Sequence, residues 1–564
     1  MLNWREMTNE KIVDFVMNLH RSLQAKRKVY EELYDMAIKL FQPRRYDIQR
    51  HRAKGDKFGL TVYDPHPARS LSKFAVGFVG NTVSANDTDP WWIRFTSANQ
   101  ELMENDRVKQ KLQEAEEQVR FGFAQSTFYQ ELPQFMKDAG CTYGCMTAKI
   151  DKIEDRVVFQ CRHPADYWFQ VDDLGHIVGW HFHIDMTAYD MRKSFDANAL
   201  PEEIKKNFTG RNPNPFKSYK ILLAVYKNES RRSGSLDSSD KPYIAFYILR
   251  EATVRKANRL IATEGLDWGP VTLRLGACVG EDYPLSPALD ALTQGSYGNA
   301  LAKYKLLAAH LSAQPAKRIS GTLRSQVLEN QLNPGSMTFV DNPEEIIEAI
   351  TDKINWPVTD AEVTQIGGYT DEVFYIQFFE MLTGGEDQPT RTAYEVSQMV
   401  NEKITMMGPT IEANEDQVLE PASNIIWAYE RRAGRMPDMP DELYTYGNRK
   451  IQNQYMGRLA QLKRTIRQTK GTLEQLQILE VFAGLFPRAL AKIRDWKYIE
   501  RAMIRHGMDQ DLFKTDQEMV EIEVQDQQDE QMQKQLMVAE SMSKMMPPGK
   551  SIEPNSPAAL MGAA

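Results

Sequence analysis

Residues Thr370–Leu382 include Val373, Phe374, Tyr375, Ile376, Phe378, Phe379, Met381 and Leu382, a run that as a helix is apolar on nearly every side. A helix without a polar face cannot lie on a surface. It must be buried, either in a core or against neighbouring chains. Phe374, Ile376, Phe378 and Phe379 point to different sides, so a lone subunit is not expected to cover all four, and they are the candidate oligomer interface. Burying one such side chain contributes about 1.5–3 kcal/mol, enough for this run to dictate what packs around it.

The surroundings of that rod follow an uncommon order. A first rod begins after Ser286, a good N-cap, with Pro287 in the first helical position. It runs to about Ala313, where Pro315 forbids continuation. At 1.5 Å per residue this is roughly 40 Å of helix. Its stripe is Ala300, Tyr304, Leu307 and Leu311, and its polar face carries Lys303 and Lys305. Residues 314–367 change character, with a strand-like piece at Met337–Val340, a short helix near 344–352, and a basic edge of Lys317, Arg318 and Arg324. The apolar rod comes next, followed by a loop containing Gly384, Gly385, Glu386, Asp387, Gln388 and Arg391. Thr392 and Glu395 form a capping box that starts a helix running to about Arg432, with a kink expected at Gly408-Pro409. Helices resume over about 460–508, and the tail from 522 lacks a core-forming pattern.

The N-terminal half mixes helices and strands. Ile12, Phe15, Val16 and Leu19, then Leu33, Met36, Ala37, Leu40 and Phe41, predict a helix over 8–42 that Pro43 ends. Asp64-Pro65 opens a second helix with the face Ala68, Leu71, Ala75, Phe78, Val79 and Val83. Trp91–Phe95 reads as a strand, and residues 100–139 as helix broken at Pro133. Strands are expected at Met146–Asp151, Val157–Cys161, Tyr167–Val171 and Trp180–Ile184, with a turn at Asp172–Gly175. Ile221–Tyr226 and Tyr243–Leu249 form a hairpin around a polar surface loop, Asn228–Asp240. The fold class is therefore mainly α, with an α+β part near the N-terminus.

Composition removes several functions. The net charge of -8 argues against a protein that wraps nucleic acid, though not against one past which DNA slides. There is no apolar run of membrane-spanning length and no secretory h-region after Met1, and four cysteines do not make a disulfide framework. Cys141, Cys145, Cys161 and His163 offer four ligand atoms for zinc, but tight Cys-x2-Cys spacing is missing and buried thiols explain them as well. His181 and His183 share a strand face without an acidic partner at metal-site spacing, which favours a structural role. Gly549-Lys550-Ser551 ends like a phosphate loop, yet Lys544 occupies the position of the first glycine. No metal, cofactor or catalytic group is expected.

Several segments together resemble phage portal proteins, and the podovirus-type head-to-tail connecting proteins in particular. They are Lys26-Arg27-x-x-Tyr30 up to Pro43, Tyr63-Asp64-Pro65 through Trp91-Trp92, Ser126–Tyr129 through Gly140–Gly144, and Pro164–Tyr167 to Gly175. Tyr283-Pro284-x-Ser286-Pro287-Ala288, Thr392-Ala393-x-Glu395-Val396 and Gly408-Pro409 complete the set. The likeness spans about 20–520. It departs at Ala124–Thr127 and in the 228–240 insertion, and it does not reach the C-terminal tail.

The resemblance implies a protomer with a wing over 1–285, stem helices at 286–313 and 368–382, a small α/β clip at 314–367, and a tunnel loop at 383–391. A kinked wing helix at 392–434, a helical crown at 435–521 and a flexible tail at 522–564 would follow. It also implies a ring, in this family a dodecamer, at the capsid vertex of a virion assembled in the host cytoplasm. Double-stranded DNA would pass without sequence readout, touched by the tunnel loop and by Lys303 and Lys305. The clip would dock the terminase large subunit and later tail adaptor or tail tube proteins, and major capsid and scaffolding proteins would surround the ring. Two rival readings are a neck adaptor ring without a DNA channel and a metal-dependent enzyme built on the 141–185 sheet.

Overall fold

Helix α1 (Asn9–Phe41) carries Val16, His20, Leu23 and Arg27 at helical spacing, and all four are buried. This stripe lies on a sheet and organises the N-terminal part of the molecule. The computed structural model describes residues 4–462 except 46, 50–60, 84–90, 98–101, 152, 199, 210–212, 233–236, 238–239, 252–253, 279, 314–316, 321–336, 341–355, 384–392 and 441–450. The chain divides into two compact units, Met1–Arg464 and Thr465–Ala564, and all described residues lie in the first.

Along the chain α1 is followed by α2 (His66–Thr82), β1 (Ile93–Ser97), α3 (Asp106–Gln125), α4 (Phe128–Cys141), β2 (Gly144–Asp151), β3 (Arg156–Arg162), β4 (Tyr167–Val171) and β5 (Ile177–Thr187). Two short helices, α5 (Ala188–Ser194) and α6 (Glu202–Thr209), lead to β6 (Ser218–Lys227), β7 (Tyr243–Leu249), β8 (Leu260–Leu266) and β9 (Val271–Leu273). Then come α7 (Pro287–Asp290), α8 (Leu292–Ala313), β10 (Lys317–Ser320), β11 (Met337–Val340), α9 (Trp356–Val373), α10 (Ile376–Thr383), α11 (Ala393–Asn414), α12 (Glu420–Arg432) and β12 (Ile451–Tyr455).

The main sheet has the order β4-β5-β6-β7-β8, antiparallel throughout. Alternation along β6 and β7 gives it two apolar faces. Leu222, Ala224 and Tyr226, opposite Ile248, Phe246 and Ile244, pack on Ile12, Val13 and Val16 of α1. Ile221 and Leu249 pack on Met191 and Ile204 of α5 and α6. A three-stranded sheet, β3-β2-β9, adjoins α4. Strand β1 pairs with β12, far along the chain, and β10 pairs in parallel with β11.

Most of the expected elements are present, with several corrections. Pro133 sits inside α4; the break falls at Ser126-Thr127. There the Thr127 hydroxyl donates to the Phe159 carbonyl and accepts from the Phe159 N–H, at 2.7 and 2.8 Å, which ties the chain to β3. Helix α9 begins at Trp356, well before the expected start of the second rod. That rod is not continuous. Tyr375 has φ 54, a left-handed state costly for a bulky residue, and it separates α9 from α10. Helical structure runs through Gly408-Pro409, so the chain does not leave the helix there, and a π turn follows at Glu415–Leu419. Pro421, which cannot donate an N–H, follows one residue beyond it, after Glu420. The turn at Asp172–Gly175 forms as expected, with Gly175 at φ 83 and the Asp172 carboxylate accepting from the N–H groups of Leu174 and His176. The expected helices over 460–508 and the tail from 522 fall almost wholly outside the described residues.

Candidate assembly and channel surface

Helices α8 and α9 pack on each other in opposite directions, since Gln294 lies near Tyr369 and Glu372 while Gly298 lies against Ile366. Their shared base is anchored in the subunit. A Cβ on Gly298 would sit 3.0 Å from Asp64 Oδ2 and 3.3 Å from Ile366, so the close approach at this point suits glycine. The Asn299 side-chain oxygen accepts from the backbone N–H groups of Tyr63 and Asp64 at 2.7 and 3.2 Å. From α2, the Ser70 hydroxyl donates to Asp371 at 2.6 Å, and His66 lies 3.2 Å from the same carboxylate.

Beyond this base α8 leaves the body of the subunit. No residue from 299 to 310 is buried. Tyr304 is 65% exposed and Leu306 48%, and Leu307 and Tyr297 are also exposed. Isolated surface leucines are ordinary, but a whole helical segment of apolar composition, flanked by α9 and without a buried residue, is a candidate interaction surface. A cleft of about 370 Å³ between the two rods is lined by Tyr297, Gln365, Ile366 and Tyr369.

The structure places the expected site residues unevenly. Lys303 is exposed on α8 and Lys305 is half-buried on the same helix. Lys317 and Arg318 lie on β10, next to β11, while Arg324 falls outside the described residues. The loop residues Gly384, Gly385, Glu386, Asp387, Gln388 and Arg391 also fall outside them.

The four apolar residues of the second rod require a correction. Phe374, Ile376, Phe378 and Phe379 are all buried within the single subunit. Phe374 packs on Phe41 of α1 and Phe74 of α2, with ring centroids 5.6 and 5.7 Å apart. Phe379 sits so close to α2 that a Cβ on Gly77 would come 2.7 Å from its ring. The premise that one chain could not cover them fails, because the turn at Tyr375 redirects the helix and α1 and α2 supply the cover. Sequence reasoning credited the buried rod with an assembly role and used the exposed stripe of α8 only to mark a helix.

Sequence reasoning also did not foresee a buried histidine cluster. The β5–β6 register sets His181 opposite Ala224, so His181 and His183 face α1, where they meet His20. An arginine only donates, so Arg250 Nη1 donates to His183 Nδ1 at 3.1 Å. With neutral rings, one set of tautomers then satisfies the whole chain of contacts. His183 Nε2 donates to His20 Nε2 at 3.0 Å, His20 Nδ1 to His181 Nδ1 at 3.3 Å, and His181 Nε2 to the Tyr226 hydroxyl at 2.5 Å. Burial, reinforced by the charges of Arg250 and Arg27, pushes His20 down to about 3, and burial holds His181 well below the ordinary histidine range. The signal available in the sequence was a histidine and an arginine on the apolar stripe of α1.

The cysteines take ordinary places. Cys141 and Cys145 are buried, and the Cys145 sulfur accepts from Thr272 at 3.6 Å. Cys161 donates to Asp138 at 3.4 Å. Among the described residues no group of three or more histidine, cysteine or acidic side chains is placed to hold a metal, and no helix is long and apolar enough to cross a membrane.

Comparison with known proteins adds independent findings. Residues 14–513 match the family model for bacteriophage head to tail connecting protein. The chain is 22% identical over 458 residues to the portal protein of Salmonella phage epsilon15, covering 78% of this chain and 77% of that one. It is likewise 22% identical over 465 residues to the probable portal protein of Bordetella phage BPP-1, covering 82% and 81%.

Proposed function

Because the chain belongs to the family of bacteriophage head to tail connecting proteins, we propose that it is a phage portal: a structural virion protein whose copies form a closed ring at one capsid vertex, through which DNA enters and leaves. The observation that carries this reading is the outer part of α8. A helical segment with no buried residue over 299–310, bearing Tyr304, Leu306 and Leu307, is suited to a neighbour of the same kind. A head-to-tail interface repeated by rotation closes into a ring when the rotation divides a full turn.

In this arrangement α8 and α9 form the stem, twelve copies close the ring, and the stem lines the channel. Lys303 and Lys305 sit on α8 among apolar residues, and the chain as a whole is acidic. Such a wall meets DNA through sparse, screened charge and does not read bases. The loop over 383–391, polar and with charges of both signs, would brush the duplex. The segment holding β10 and β11, with Lys317, Arg318 and Arg324, would dock the terminase large subunit during packaging and tail proteins afterwards. Capsid and scaffolding proteins would contact the outer surface. The protein itself supplies no motor chemistry.

The test is a phage with a nonsense codon in this gene, grown in a host that cannot suppress it. A portal role predicts capsids that never receive DNA. Capsids that fill and then leak would instead indicate a neck adaptor added after packaging, and would overturn the proposal.

A further inference from the structure

In a cleft of about 330 Å³, α1 contributes Arg27, Lys28 and Glu31, β4 Trp168, β6 Lys220, and Arg250 follows β7. Four cations and one carboxylate line it, in a chain whose net charge is -8. The carboxylate is already used: Arg27 Nε donates to Glu31 at 2.8 Å, and Arg27 Nη1 donates to the carbonyls of Pro164 and Tyr167, each at 2.8 Å. Among the described residues Lys28, Lys220 and Arg250 form no salt bridge, and Asp185 is the one carboxylate whose charge reaches Arg250. Among the described residues three positive charges thus share one opening, none of them salt-bridged, with the Asp185 charge acting on Arg250.

The cleft is also held in place beforehand. Arg27 stacks over the Trp168 ring at 4.0 Å from its centre. Arg250 is fixed by its bond to His183, itself backed by the chain through His20 and His181 to Tyr226, and its backbone N–H donates to the Lys220 carbonyl at 3.0 Å. Burial pulls Arg250 below its ordinary value, so half-burying this guanidinium opposes its charge. The indole N–H of Trp168 is buried and has no acceptor among the described residues. Unsatisfied buried donors are uncommon in folded proteins, and this one belongs to a residue lining the cleft.

We infer that this cleft binds a phosphoryl oxyanion, with Arg250, Lys220 and Lys28 as its cationic partners. An oxyanion of this class carries several acceptor oxygens and up to two negative charges at neutral pH, which matches a guanidinium fork flanked by two ammonium groups. The same chemistry arises in free phosphate and in the phosphodiesters of nucleic acid. The inference rests on the cleft alone and not on the ring.

The experiment is isothermal titration calorimetry of sodium phosphate into the purified full-length protein, with ionic strength held constant by chloride. Saturable binding is expected, weakened at least tenfold by the double substitution Lys220→Met and Arg250→Met. Because Arg250 also supports His183, the exposed pair Lys28→Met and Lys220→Met carries the test if the first variant does not fold. Lys256→Met, at a surface pair with Asp14, should bind as the wild type does. A short DNA duplex added as competitor identifies the source: displacement of phosphate points to phosphodiesters, and its absence to the free ion. No saturable binding, or binding unchanged in the Lys28/Lys220 variant, would overturn the inference.

Discussion

Replacing Phe374 by alanine separates the two roles open to the apolar rod. Its ring is fully buried in one subunit, between Phe41 and Phe74 at 5.6 and 5.7 Å. Truncating a core phenylalanine costs about 3–5 kcal/mol, and loss of two aromatic contacts, each contributing roughly 0.5–1.5 kcal/mol beyond area, places this case toward the upper end. The loss should be felt first where α10 is held on α2. Since 1.4 kcal/mol is a factor of ten, amides of α10 that exchange by opening of this packing should exchange about 100- to several-thousand-fold faster. Hydrogen exchange read by mass spectrometry on peptides covering 366–383 measures it. The reasoning fails if α10 keeps its wild-type protection while assemblies fall apart into folded subunits, for Phe374 would then act between chains.

Tyr304→Asp should do the opposite. Its side chain is 65% exposed, so thermal stability of the subunit should stay within about 0.5 kcal/mol of wild type while sedimentation shows assembly shifted to smaller species; intact assemblies would contradict it. Acid should destabilise the packing of α1 on the main sheet through His20 and His181. Both are held neutral in the folded state, His20 at about 3, whereas the unfolded chain takes up protons near the ordinary histidine value of ~6.5. Their contribution is therefore complete above about pH 6.5 and shrinks as pH falls toward 3. Melting temperature followed from pH 7 to 4.5 should drop less steeply in His20→Gln than in wild type, and parallel profiles would refute the assignment. Deleting Gly385 to Gln388 should leave assembly intact yet impair packaging or retention of DNA; particles with full-length, stably retained genomes would make that segment a plain connector.

Much of the fold was legible because periodicity reports which face is covered. α2 and the strands from β2 to β7 carry a clear apolar face or alternation, and α1 carries one interrupted only by His20 and Arg27 among its buried stripe of Val16, His20, Leu23 and Arg27. What escaped had weaker local signals. Strand β12 reads Ile-Gln-Asn-Gln-Tyr and is specified by its partner β1, more than 350 residues earlier, rather than by its own pattern. β8, with Thr263, Glu264 and Gly265, owes its place to hydrogen bonds with β7. The break at Tyr375 was hidden because the residues around it are uniformly apolar, and no local pattern distinguishes a straight apolar helix from one turned back onto its own subunit. The same limit applies to the surface. A sequence shows that Tyr304 and Leu307 recur on one stripe, but not whether the chain itself covers that stripe. In the structure Tyr304 and Leu307 are both exposed among the described residues. The cationic cleft was invisible for a different reason: Arg27, Lys220 and Arg250 are far apart in sequence and meet only through the β5–β6–β7 register and the docking of α1.

The central claim is that identical copies close around a channel. Electron microscopy of the purified full-length protein at micromolar concentration tests it most directly. The account predicts rings of a single copy number with an open central hole, twelve copies in the arrangement proposed above. Monomers or dimers throughout the field, or closed discs without a hole, would contradict it.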